Sequence, residues 1–314
     1  MAGDIAWGVV VTCLLITLAL IFPLVGFCVI PFVPVPTLFY RCKLGRNPSF
    51  VLMLTVMAIL TVITGRMGFD AMMIVLLLLT GHFLGEQFQK QQSIDEIVLK
   101  SSAQVLGAGV AAALGLSLIS ATSLGDAIRS FVRRNLELTL TLYKDAGVAQ
   151  QTLDTIAGAQ ETFELVLVRL LPAVMTTSLL FVHWISILAA QRLFRVKALP
   201  FPTIGRLNRW KAPEPLIWVV IACGAAAFLP QAGVRWAGIN GLLILAIIYF
   251  FQGIAIAAFY FDKKKLPGLL RVVLYGMILL QPLVFLVVIL LGFFDMWTDF
   301  RRINRNPNQS SKDE

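Results

Sequence analysis

Seven or more apolar stretches, each about as long as a bilayer is thick, run through this chain of 314 residues, and several of the gaps between them are basic. The clearest cover residues 104–121, 170–190, 238–261 and 269–294. An α-helix rises about 1.5 Å per residue, so roughly 20 apolar residues cross a hydrocarbon core ~30 Å thick. No water-soluble fold needs so many segments of that length. The sequence therefore predicts an all-α, polytopic membrane helical bundle of about eight transmembrane helices.

Composition narrows the functional classes. Hydrophobic residues make up 58% of the chain and charged residues 14%, against about 25% charged in soluble domains. A single membrane domain over residues 1–314 is expected, with no separate soluble catalytic domain. The net charge of +9 is carried by residues between the apolar spans. There they set topology and meet lipid headgroups, so membrane lipids are the expected partners and nucleic acid is not. Cys13, Cys28, Cys42 and Cys223 show no paired spacing, which argues against a disulfide framework or a metal site. Asp4 is the only charge before the first apolar stretch, and that stretch is too long for a cleaved signal, so it reads as a retained span.

Eight apolar segments follow one another. The first, from about Ile5 to Phe32, contains Pro23 and Gly26, and Pro31, Pro34 and Pro36 lie at or beyond its end. It is expected to break near Phe22 and leave the membrane by an extended, proline-rich exit. The second and third are separated by a tight turn at Gly65–Gly68. The fourth has Gly107, Ala111 and Gly115 four apart, a stripe that lets helices approach closely within the bundle or against another membrane subunit. Residues 123–168 form the longest polar interruption. Ser123 and Asp126 fit a capping box, and Ile128, Phe131, Val132, Leu136, Leu140 and Tyr143 recur at helical spacing. Gly147 is expected to close this helix and a second to start near Thr152, giving an interfacial amphipathic hairpin outside the hydrocarbon core. Residues 298–314 read as a polar, disordered tail.

The loops holding Arg41, Lys43 and Arg46, then Arg192 to Lys211, then Lys263 to Arg271 are strongly basic. Even numbers of spans separate them, so all three can face the cytoplasm. That count places both termini outside, while Arg301, Arg302 and Arg305 after the last span argue for the inside.

Leu142-Tyr143-Lys144 with Gly147, Leu171-Pro172-Ala173, Trp210 and Pro213 before Trp218, Asn240 followed by Gln252-Gly253, and Gly292 to Arg301 occur in order. In these features, over nearly the whole chain, the protein resembles the YybS-like family of bacterial membrane proteins, a family of unknown function. The resemblance implies a bacterial cytoplasmic membrane. The front of the chain also resembles the substrate-binding subunits of energy-coupling-factor transporters, through Pro23-Leu24-Val25-Gly26, the prolines from Pro31 to Pro36, and Arg41 to Gly45. It departs from them by two more spans and the amphipathic insertion.

Candidate chemistry is sparse. His82 and Glu86 share one helical face, but His-Phe-Leu-Gly-Glu lacks the second histidine and the intervening glutamate of a zinc protease. His183 lies in mid-span, where a polar ring must face protein or water. Asn240 and Gln252, twelve apart, share a face and can join helices or hold a small polar ligand. No phosphate-binding loop, serine elbow or metal-ligand cluster appears, so neither an enzyme nor a cofactor is expected. Two readings stay open: a small-molecule binding or transport protein in which His183, Asn240 and Gln252 converge on one cavity, and a non-transporting scaffold that binds partners.

Overall fold

The first helix ends where its proline sits. In the computed structural model, which describes residues 2–64, 69–120, 123–197 and 207–301, α1 (Ala2–Ile21) stops at Phe22, whose φ of −119° and ψ of 89° leave the helical region, and Pro23 opens α2 (Pro23–Val29). A 3₁₀ turn over Ile30–Phe32 leads into α3 (Pro34–Leu44). This is not the extended exit that the prolines suggest. Pro23, Pro31 and Pro34 occupy the first or second position of their helical segments, where a backbone N–H has no intrahelical partner to lose. The chain therefore turns back on α1. Gly26 lies against Ala19, Gly8 against Tyr40, and Lys43 pairs with Asp4. Residues 23–44 would rise roughly 33 Å if helical, long enough to return across the core as a broken span.

Contacts divide the chain into two compact units, residues 1–203 and 204–314. The first unit continues with α4 (Arg46–Thr64), α5 (Phe69–Gln89) and α6 (Ile94–Ser120). Helix α5 lies tightly on α3 through two glycines. A Cβ at Gly81 would collide with the Pro34 carbonyl, and one at Gly85 would come within 2.6 Å of Arg41 Cγ. Helix α7 (Leu124–Asp145) begins as its capping residues predict, with the Asp126 N–H donating to Ser123 Oγ at 3.1 Å. Gly147 follows it at a φ of 78°, and α8 (Gln150–Gly158) starts slightly before the expected Thr152. Helix α9 (Gln160–Val196) runs unbroken through Pro172 for 37 residues. At 1.5 Å per residue it is about 55 Å long, well beyond a ~30 Å core. Glu164 in its second turn accepts from Arg133 of α7 at 3.0 Å.

The second unit opens with a 3₁₀ turn at Leu207–Arg209, followed by α10 (Leu216–Ala227) and α11 (Ala232–Lys263), which pack antiparallel where Gly238 meets Cys223 and Ala227. The segment read as one span over residues 269–294 is two helices, α12 (Gly268–Leu280) and α13 (Pro282–Thr298), bent by 98°. Pro282 drives Gln281 out of the helical region, to φ −99° and ψ 108°. Both ends of this pair meet. Arg271 bonds Asp262, Asn208 Nδ2 donates to the same carboxylate at 2.8 Å, and Arg301 Nη1 donates to the Asn208 carbonyl at 2.9 Å. The pair thus enters and leaves the second unit at one end.

Every regular element among the described residues is helical. Five helices, α1, α5, α6, α9 and α11, are long and apolar enough to cross a membrane, or six elements if the α12–α13 pair counts; α4 and α10 are shorter apolar helices. These account for the eight apolar segments. The Gly65–Gly68 turn, Arg206, and residues 302–314 of the tail with Arg302 and Arg305 lie outside the described residues. Residues 299–301, assigned to a disordered tail from sequence, are fixed by bonds to the 207–211 segment.

Asp4 lies beside Lys43, and Arg301 lies beside Asn208, so each of these ends joins a basic segment of its own unit. Single cysteines at Asp4, Lys43 and Lys197 are expected to react with a membrane-impermeant maleimide from the cytoplasmic side, and one at Gln150 from the opposite side. Labelling of Asp4 and Lys43 from opposite faces would overturn the hairpin.

Candidate functional site

The return of α3 beside α1 opens a cleft of about 500 Å³ in the first unit, closed on its third side by the C-terminal turns of α9. Trp7, Val11 and Leu15 of α1, Phe32, Val35, Pro36 and Phe39 from the broken span, and Leu193 of α9 make its walls apolar. Asp4, Lys43, Tyr40 and Lys197 gather at one end. From Asp4 to Leu15 the helix rises roughly 16 Å, so the cleft is a long apolar slot with a charged mouth. Trp7 (66% exposed) and Phe32 (44%) form an open rim. Lys43 is engaged by Asp4, whereas Lys197 has no acidic partner among the described residues. The linear sequence gave no signal for this constellation: Lys43 and Lys197 read only as topology charges, and the slot exists because residues 23–44 return.

The residues singled out from sequence do not line it. His183 is completely buried on α9, with Nδ1 bonded to the Leu179 carbonyl at 2.8 Å and Nε2 without a partner. One helical turn on, Ser186 Oγ donates to the Pro31 carbonyl at 3.1 Å, covering a group freed by the break. His82 is buried against Ser49 Oγ at 3.1 Å and the Phe50 ring, while Glu86 turns to Lys90 at 2.8 Å. Gly107 and Ala111 are exposed, and a Cβ at Gly107 or Gly115 would meet nothing. The stripe expected inside the bundle therefore faces outward, and its neighbour Gly109 makes the contact with α5, through Leu76.

Asn240 and Gln252 belong to the second unit, His183 to the first. Asn240 Nδ2 bonds the Trp236 carbonyl at 2.7 Å. Gln252 is fully buried and bonded at both ends: Oε1 accepts from the Ala212 N–H, and Nε2 donates to Asp295, each at 3.1 Å. Asp295 also accepts from Arg301 at 2.8 Å and from the Phe300 N–H at 2.9 Å. Arg301 Nη1 reaches the carbonyls of Asn208 and Trp210, and Lys211 Nζ donates to Asp299 at 2.9 Å. Asp295 and Arg301 form an ion pair with no exposed side-chain surface. Beside it the helices touch backbone to backbone: a Cβ on Gly292 would collide with the Tyr249 carbonyl and one on Gly253 with the Val288 carbonyl. Gln252 thus belongs to a clamp joining residues 208–212, α11 and the end of α13.

Residues 10–296 match the family described as "Predicted membrane protein (DUF2232)". The chain belongs to this family. A relative is the uncharacterised protein YybS of Bacillus subtilis (strain 168), 22% identical over 287 residues that cover 90% of this chain and 91% of that protein. No solved structure matches the chain. The family includes the clamp's Gln252 and Asp295 within its matched length, and the likeness to YybS inferred from ordered motifs is thereby established. The likeness to energy-coupling-factor subunits gains no support from these comparisons.

Proposed function

We propose that this protein is a multi-pass protein of the bacterial cytoplasmic membrane that binds an amphipathic small molecule in the α1–α3–α9 cleft. The observation that carries the reading is the broken, returning span: discontinuous helices at membrane depth are tolerated where they line a cavity, and here a slot of about 500 Å³ runs along one. That volume falls within the about 300–1,000 Å³ typical of small-molecule sites. Transport is the finer form of this reading, in which the short segments α2 and α3 move against α1 to change access.

Full-length protein released from mild detergent into a mass spectrometer is expected to carry one amphiphile per chain. Val11→Trp, which fills the slot from α1, is expected to remove it. Retention of the same adduct by that variant would exclude the cleft. A scaffold role finds support in the outward face of Gly107 and Gly115, where no described residue lies within 4 Å of an added Cβ; Gly107→Leu would then disrupt a complex while leaving the adduct in place.

A further inference from the structure

The cleft also states what kind of amphiphile it takes, and this step rests on the binding reading above. We infer that the occupant is a single-chain monoanion of the fatty-acid class, with its carboxylate at Lys197 and Lys43 and its chain laid along Val11, Leu15, Val35 and Pro36.

Three observations on the slot agree. Its mouth holds two lysines and one aspartate, so basic side chains outnumber acidic ones where a carboxylate would sit. Lys197 has no acidic partner among the described residues, so its ammonium is available, while Lys43 is already held in place by Asp4 at the same mouth. Tyr40 lines the mouth beside them and supplies a hydroxyl suited to a carboxylate oxygen. The inner wall, by contrast, presents only hydrocarbon and aromatic side chains over its roughly 16 Å. Taking about 30 Å³ for a methylene-sized group, the share of a water molecule in the liquid, the slot's volume matches roughly 16 such groups, the size of one acyl chain. Trp7 and Phe32 at the rim give the chain a lateral way in from the acyl layer. A carboxylate at this mouth competes with Asp4 for Lys43, so occupancy should loosen the tie between the start of α1 and the end of α3.

The test uses the purified full-length chain in a nonionic detergent, with oleate and its uncharged counterpart oleyl alcohol as probes. Oleate is expected to bind saturably at one per chain, about tenfold or more tighter than the alcohol, since hydrogen bonds to charged groups exceed neutral ones by that order. Lys197→Gln should abolish the preference without changing alcohol binding, Lys197→Arg should restore it, and added salt should weaken oleate selectively. Val11→Trp should remove both probes. Equal binding of oleate and alcohol, unmoved by Lys197→Gln, would overturn the charge assignment while leaving the cleft as a binding site. Failure of both probes to bind the unaltered protein would overturn the cleft reading itself, and a phosphate-headed probe outcompeting oleate would overturn the carboxylate class.

Discussion

Arg301→Met should destabilise the protein by ~3–5 kcal/mol, because it leaves Asp295 as a buried carboxylate without its cation. Neither side chain of that pair has exposed surface, and water cannot take the place of the lost guanidinium. The same substitution releases the carbonyls of Asn208 and Trp210, so the 207–212 segment should loosen with it. Thermal unfolding of the detergent-solubilised protein reads the first effect and protease sensitivity near Arg209 reads the second. Converting both partners, with Asp295→Leu added to Arg301→Met, is expected to recover much of the loss, since an apolar pair leaves no uncompensated charge. A single variant as stable as the parent would show that the ion pair holds nothing.

A comparably large effect is expected where α11 and α13 touch. Gly292→Ala places a methyl group on the Tyr249 carbonyl and within 2.8 Å of the Gly253 nitrogen, and backbone on the far side cannot rotate away as a side chain would. Overpacking of this kind costs about 1–3 kcal/mol, and more when the obstacle is rigid. Gly276→Ala on α12 is the matched control, because nothing lies within 4 Å of its added carbon. It should be neutral or slightly stabilising through helix propensity. The two variants differ only in position, so equal melting temperatures would refute the close helix contact.

What the chain disclosed in advance follows the range of the physics involved. Local rules worked: Pro23 broke the first span where a missing donor and a steric clash require it, and Ser123 capped α7 through its neighbour Asp126. The lengths of the apolar runs placed the helices. The direction of the chain after a break was not legible, because proline at the first turn of a helix and proline in an extended exit look alike in sequence. Pro282 was present in the last apolar run, yet a run judged by hydropathy alone hides a 98° bend. Long-range pairing was hidden altogether. Asp295 and Arg301 sit beside an evidently polar tail, and only their distant partners at residues 208–212 draw them inside. Gln252 and His183 are both fully buried, and their place in an apolar span does not say which atoms satisfy them. The cleft depends on three segments that are far apart in the chain, two of which meet only through the unanticipated return.

That return also bears on how the protein is made. Residues 5–40 contain no aspartate, glutamate, lysine or arginine, and Asp4 just before them finishes beside Lys43 just after them. This uncharged stretch can therefore enter the bilayer as a pair of legs, with the bend at Phe22–Pro23 leading. Translocating a charged flank, which costs about 2.5–3.5 kcal/mol per residue at the membrane centre, is never required.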